Sequence, residues 1–449
     1  MFKRYIRWRL ERYVKKYFKV HHPTLIAVVG SVGKTTTKTA IATVLSNRFR
    51  VQMEPGNLNS EMSVPLAILG IKYPPLALLR KYSTWHRIFK AMKVRIKSEQ
   101  SVDVIIQELA TDKPGDIDAF GKYLSPDIAV VTAVAPEHME NFPNGLSDVA
   151  REELAIAKYS KLTIVNHDDV DAAYAAYAET SNITTYGIEG GEYRIDIMDG
   201  NPLTGYNVRF FAPEFGGASA ENPNMESDAS AIPATIHYLG EHNVRSAVAA
   251  AAVAAKLGMT PQDITSVLAQ LHPVAGRMNP LPGMEDSVII DDTYNSSPDA
   301  AVAALNTLYQ IDAPQRIAIL GSMNELGQYS AQAHQQVGAA CDPMMLDFVI
   351  TIGDEAARYL APAAMKRGCQ VASFPGPIMA ATFAKQQLKS HAAILVKGSQ
   401  NGVYAEEATK NLLRNIDDRD KLVRQSDEWM EKKNKWLEEI RHIQQNDEE

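Results

Sequence analysis

The residues best suited to chemistry in this chain are Gly30-Ser31-Val32-Gly33-Lys34-Thr35-Thr36. Gly30 and Gly33 free the backbone to close its N–H groups on phosphate oxygens, at a point where a following helix would aim its positive end. Lys34 has the reach for β- and γ-phosphates, and the Thr35 hydroxyl can ligate Mg²⁺. The spacing departs from the common G-x-x-x-x-G-K-[ST] form, since Val28 stands where the first glycine belongs. The context is nevertheless the required one. Leu25-Ile26-Ala27-Val28-Val29 reads as a buried parallel strand, and Thr36 to Leu45 as a helix. The segment is expected to bind ATP with Mg²⁺.

Other elements must position this loop. Further buried strands are read at 102–109, with Glu108 near the carboxyl end, at 127–134 and at 162–165. A carboxylate in that position lies on the rim where α/β sheets bind ligands. Segments 193–197, 206–211 and 234–238 suggest short antiparallel strands, and 216–230 a loop. An Ala/Val-rich helix is predicted over 243–257. Two prolines and a glycine in 280–284 suggest an interdomain hinge. Beyond it, strands at 288–291, 316–320, 348–352 and 393–396 alternate with helices, including 298–309 and 331–340. The fold class is α/β: a phosphate-loop domain with a mainly parallel sheet and a small antiparallel subregion, then a Rossmann-like α/β domain. The divisions read as 1–22 (basic amphipathic helix), 23–279, 280–423 and 424–449 (charged helical tail, solvated or frayed).

Eight further pieces follow in order: Gly56-Asn57-Leu58-Asn59, Gln107-Glu108-Leu109, Ala135-Pro136-Glu137-His138, His242-Asn243-Val244, Pro273-Val274-Ala275-Gly276-Arg277-Met278, Asp291-Asp292-Thr293-Tyr294-Asn295, Glu325-Leu326-Gly327 and Val396-Lys397-Gly398-Ser399. On these the chain resembles the Mur ligases, most closely the MurF type, which adds D-alanyl-D-alanine to a UDP-muramoyl tripeptide. The resemblance spans about residues 24–405. It implies an ATP-dependent, ADP-forming ligase of peptidoglycan synthesis that works through an acyl phosphate. By resemblance, Thr35 holds one Mg²⁺, and Glu108 and His138 hold a second. Asn243 contacts adenine, Arg277 phosphate and Asp292 the ribose. Lys397 and Ser399 meet the incoming amine substrate, and Asn57, Asn59 and Asn295 are further substrate contacts.

Four positions depart from the family pattern. Glu153 aligns with a lysine that becomes carbamylated in many Mur ligases; both groups offer anionic oxygens, so Glu153 is expected to serve the second Mg²⁺ without CO₂. Ser322 replaces Asp, Gln400 replaces Arg and Ser297 replaces Asn in the part that selects the amine. MurF-type enzymes also carry a UDP-binding domain ahead of the phosphate loop. Here only residues 1–22 precede it, with eight Lys/Arg against Glu11. Phe2, Tyr5, Ile6, Tyr13, Val14, Tyr17 and Phe18 fall on one helical stripe. This stripe is expected either to lie on an anionic membrane surface, with a lipid-linked substrate, or to pack on the protein itself.

The 449 residues carry a net charge of −7 and residues 1–22 are at +7, so the remainder sums to −14, an acidic balance that argues against nucleic acid as a partner. Two distant cysteines exclude a disulfide framework and fit a reducing cytoplasm, with peripheral contact at the inner membrane face as the variant. Competing functions are another Mur-type ligase with a different acid and amine, as in folylpolyglutamate or lipid II amidating ligases, or a non-catalytic nucleotide-binding scaffold.

Overall fold

Alternation along β1 (Thr24–Val29) sets the layers of the first half of the protein. Ile26 and Val28 point into one apolar cluster, and Leu25, Ala27 and Val29 into another on the opposite face. A strand buried on both faces needs helices on both, and the computed structural model has them. It describes residues 2–54, 56–180, 182–215 and 231–447, with side chains at all of these except 76 and 440–447. The loop expected over 216–230 lies outside the described residues.

The first sheet contains β1, β2 (Val51–Met53), β3 (Val104–Glu108), β4 (Ile128–Val131), β5 (Leu162–Asn166), β6 (Ile183–Gly187), β7 (Tyr193–Asn201), β8 (Gly205–Phe211) and β9 (Ile232–Ile236). Their order is β2-β3-β1-β4-β5-β6-β7-β8-β9. Pairing is parallel from β2 to β7 and antiparallel from β7 to β9. Strand β7 joins the two regimes, and β6, not anticipated from the sequence, links it to the parallel part.

On one face lie α1 (Phe2–His21), α3 (Val64–Ile68), α4 (Tyr82–Lys97) and α5 (Asp116–Gly121). The other carries α2 (Lys34–Leu45), α7 (Glu241–Lys256) and α8 (Pro261–Leu268), while α6 (Leu146–Leu154) lies beside the phosphate loop. Alanines line α7 because it packs closely along α2: Ala249 to Ala252 are all fully buried. The Ser246 and Thr37 hydroxyls meet at 3.0 Å between these helices.

The second sheet holds β10 (Asn279–Pro282), β11 (Val288–Asp292), β12 (Arg316–Gly321), β13 (Phe348–Ile352), β14 (Val371–Phe374) and β15 (Ala393–Lys397) in the order β10-β11-β15-β12-β13-β14. All pairs are parallel except β10–β11. The expected hinge at 280–284 is therefore largely an edge strand, a position where prolines are tolerated because one side of the strand needs no donors. Helices α9 (Pro298–Gln310), α10 (Ser330–Ala340), α11 (Ala361–Arg367), α12 (Pro377–Gln387) and α13 (Glu406–Leu412) cover this sheet. Cys341 and Cys369 are free and buried.

Two terminal expectations change. In α1 the buried residues are Ile6, Leu10, Val14, Tyr17 and His21, whereas Phe2 and Tyr5 are exposed. The true stripe follows the packing on α3 and α4 and includes Leu10, so Ile6, Val14 and Tyr17 of the expected stripe are core, while Phe2 and Tyr5 stay outside it. The last helix, α14 (Asp427–Asp447), is docked rather than free. Its Lys433 is fully buried against Glu406 and Glu407, and Arg424 just before it forms a two-pronged ion pair with Glu406 at 2.8 Å. Among the described residues no helix is long and apolar enough to cross a membrane.

The packing of α1 has a measurable consequence. Leu10 is wholly buried. Leu10→Ala is expected to lower unfolding stability by roughly 2–5 kcal/mol, read by urea denaturation; a change below about 0.5 kcal/mol would mean that α1 is not part of the core.

Candidate active site

Strand β1 delivers the phosphate loop to the carboxyl edge of the first sheet, between the ends of β3 and β4. Gly30 (φ 125°) turns the chain so close to β4 that a Cβ there would lie 2.2 Å from Thr132 Oγ1. Gly33 (φ 86°) opens α2 in the left-handed region with space around it. The segment after β4 braces the loop. Ser31 N donates to Ala133 O at 2.9 Å, Ala135 N to Ser31 Oγ at 3.1 Å, and Thr132 Oγ1 to Val32 O at 2.6 Å.

Glu153 braces it from behind. Its carboxylate accepts Gly30 N at 2.8 Å and the Thr111 hydroxyl at 2.6 Å, and its side chain lines neither of the cavities described next. The sequence expects Glu153 to serve a metal; in this arrangement one of its oxygens takes Gly30 N, the other takes the Thr111 hydroxyl on the wall of the first cavity, and the residue is 1% exposed. Burial pushes the Glu153 carboxyl up to about 7; Glu137 adds to the rise, and Lys34 opposes it.

Two cavities meet at Val32, Gly33 and Ala300. The first, of about 310 Å³, gathers Lys34, Thr35, Asn57, Asn59, Glu108, His138, Arg277, Asn295 and Lys397 from the sequence-predicted set. The second, of about 590 Å³, lies beyond the loop and takes in Asn243. Asn243 donates to Leu239 O at 2.8 Å, which leaves its amide oxygen for a ligand. His242 beside it is held by burial well below its ordinary value, at about 4, so it is neutral near pH 7.

Within the first cavity the charges are ordered. Thr35 Oγ1 donates to Glu108 Oε2 at 3.1 Å; Asn59 Nδ2 donates to Glu108 Oε1 at 3.0 Å; Lys38 Nζ lies 3.2 Å from Oε2. Burial opposes the Glu108 charge, but Lys38 and Lys34 outweigh it and hold this carboxyl below its ordinary range. Burial likewise opposes the charge on Lys34, and Glu137, Glu153 and Glu108 more than offset it. The ammonium is folded back onto Gly30 O and Ser31 O, 3.4 Å from Glu137. A hydroxyl beside an ionised carboxylate is a hard oxygen pair suited to Mg²⁺, an ion that keeps water and phosphate in most of its shell. His138 sits apart, 3.4 Å from both Asp112 and Glu325. Among the described residues no group of three or more His, Cys, Asp or Glu is arranged to hold a metal.

The second sheet contributes the opposite wall. Arg277 lies over the Tyr294 ring at 4.0 Å, and its buried Nε has no hydrogen-bond partner. An unsatisfied guanidinium nitrogen at a cavity wall suits an anion. Asp292 and Lys397 are paired to each other at 2.6 Å, and Met278 N takes the other Asp292 oxygen at 3.2 Å. Asp292 lines neither cavity in this arrangement, and Ser399 is buried, accepting Asn324 N at 3.0 Å. Of the departures, Ser297 and Gln400 line the first cavity, while Ser322 is packed under Ala356 N at 3.1 Å.

Sequence reasoning missed Lys38, Thr111 and the roles of Glu137, Tyr294 and His242. The last three sit inside motifs already singled out. Lys38 had its own signal, the one other charged residue of the helix, one turn after Lys34.

Because folding raises the Glu153 pKa, its contribution to stability is full below about 4.5 and is lost as pH rises through about 7. Glu153→Gln is expected to flatten that decline. Thermal melts across this window check it; an unchanged slope would assign the pH dependence elsewhere.

Comparison with known proteins agrees with this geometry. The Mur ligase middle domain family matches residues 28–254, and the Mur ligase glutamate ligase domain family matches 276–400. The UDP-N-acetylmuramoyl-tripeptide--D-alanyl-D-alanine ligase of Haemophilus influenzae is 28% identical over 340 residues, covering 75% of this chain and 65% of that one. The Bacillus subtilis protein of the same name is 26% identical, covering 90% and 79%. In fold, MurF from Acinetobacter baumannii gives a TM-score of 0.73 at 24% identity over 91% of this chain and 81% of that one. MurF from Thermotoga maritima, solved with ADP, gives 0.71 at 22% identity over 92% and 84%. With both domain families matched in order across the phosphate loop and its opposing wall, the chain belongs to the Mur ligase family.

Proposed function

We propose that this chain is an ATP-dependent, ADP-forming ligase that joins the carboxylate of a muramoyl tripeptide to the amine of D-alanyl-D-alanine. The observation that carries the reading is the meeting of two cavities across the phosphate loop. The larger takes the nucleoside, with Asn243 toward adenine; the loop takes the phosphates; the smaller brings a carboxylate to the γ-phosphorus. The carboxylate oxygen forms a bond to phosphorus as the bond to ADP breaks. The amine then attacks the acyl carbon, inorganic phosphate leaves, and the amine gives up a proton.

Two anions must meet in the first step, so positioning and charge neutralisation dominate. Lys34 would leave Gly30 O for the phosphates, and Arg277 would offer its free Nε to the same charge. Mg²⁺ at Thr35 and Glu108 would supply further positive charge. Asn57, Asn295 and Lys397 line the end of the cavity open to the acid and amine substrates. Use of ATP and a UDP-linked or lipid-linked muramoyl peptide places the reaction in the cytoplasm.

A second reading keeps the chemistry and changes the amine. It is favoured by Ser297 and Gln400, which face the cavity where the MurF type has Asn and Arg.

Phosphate release from ATP with UDP-muramoyl tripeptide and D-alanyl-D-alanine tests both readings. Lys34→Ala is expected to cut substrate-dependent release by on the order of 100-fold or more. Product with another amine and none with D-alanyl-D-alanine would select the second reading. No substrate-dependent release with any muramoyl peptide and amine would overturn the ligase assignment.

A further inference from the structure

Two basic segments far apart in sequence come together in space. Helices α1 and α4 lie side by side and run in the same direction. Tyr5 and Tyr82 line one cleft, Tyr13 stacks on Phe89 at 5.8 Å, and His21 Nε2 meets Ile96 O at 3.0 Å. Residues 1–22 carry eight Lys/Arg and one Glu, and residues 62–98 carry eight Lys/Arg and no acid. With a total of −7, the rest of the chain is at −22. The buried stripe of α1 holds the pair against the sheet, so most of these cations point outward.

The same two helices carry the exposed aromatic rings. Phe2, Tyr5, Trp8 and Tyr82 are the large aromatic side chains most open to solvent among the described residues, with Tyr82 70% exposed. Val20 and Val94 add apolar surface. A cleft of about 320 Å³ between the helices is walled by Tyr5 and Tyr82 and edged by Arg9, His86, Lys90 and Lys93. Arg9 is fixed in it, its guanidinium 4.0 Å over the Phe89 ring and bonded to Tyr13 Oη at 3.2 Å.

We propose that the α1–α4 face is a docking surface for an anionic phospholipid membrane, with the cleft taking a lipid phosphate. Amphipathic rings settle at the headgroup level, and Lys/Arg are drawn to anionic lipid; the two together anchor where either alone is weak. Exposed Phe2 and the two valines favour a lipid interface over RNA, since they offer apolar carbon and no hydrogen bond. The contact uses the outward faces of two helices rather than the buried stripe of one. It is independent of the ligase reaction, because none of these residues lines the two cavities of the active site.

Co-sedimentation of the full chain with phosphatidylcholine vesicles, with and without phosphatidylglycerol, tests it. Binding is expected only with phosphatidylglycerol and is expected to fall as salt rises. Lys90→Glu with Lys93→Glu, and separately Tyr5→Ala with Trp8→Ala, should each weaken it by on the order of tenfold. All four side chains are exposed, so melting temperature and solution phosphate release should stay at wild-type values. Equal binding to both vesicle types, no binding, or wild-type binding by both double variants overturns the proposal. So does capture of a short RNA without capture of vesicles.

Discussion

The phosphate loop can close only because Gly30 has no side chain. Any Cβ would enter the Thr132 hydroxyl and the Ala133 backbone, so β1 and β4 could not approach as parallel neighbours with the loop folded between them. Once that contact is made, much else follows. Ser31 and Val32 are pinned to the strand after β4, Gly30 N is given to Glu153, and Gly33 starts α2 with its free N–H groups facing the cavities. Glu153 thereby braces the loop from behind, one oxygen on Gly30 N and the other on Thr111.

Around that loop the protein gathers buried charges that would be costly alone. Each is compensated: Glu108 by Lys38 and Asn59, Lys34 by Glu137, Asp292 by Lys397. Among the described residues, Arg277 keeps a buried Nε without a hydrogen-bond partner and rests on the face of Tyr294. Tyr294 is in turn fixed from the far end of the sequence. Arg424 donates to the Thr293 and Tyr294 carbonyls while it grips Glu406, and Lys433 seals the same acidic pair. The segment that looked most expendable by composition thus supports one wall of the site.

The sequence made much of this legible where one local signal carried the answer. Strands β1 and β4 are built on continuous apolar runs, β3 and β5 on shorter ones, and the Gly-Lys-Thr spacing located the loop. Strands β2 and β14 were missed because they are short and only partly buried, β6 because two threonines and a glycine dilute its apolar signal, and β10 was read as a hinge because prolines there obscure an edge strand. Among site residues, Lys34, Thr35, Glu108 and Arg277 share one cavity as their motifs suggested. Glu153, Asp292 and Ser399 do not face it, because each spends its polar atoms on backbone or on a partner that only the folded chain supplies. The α1 stripe erred for a related reason: helical periodicity gives a face, but α3 and α4 choose which residues fill it.

The strand order carries a further consequence for how the protein is made. β1 has no neighbour near it in sequence; it pairs with β3 and β4, which are translated much later. On a ribosome, the Leu25–Val29 run and the apolar side of α1 emerge well before anything that can cover them. Such long-range parallel pairing folds slowly and leaves aggregation-prone surface in the interval. A nascent chain of this topology is a natural client for chaperones, and its most conspicuous motif is synthesised before the strands that hold it in place.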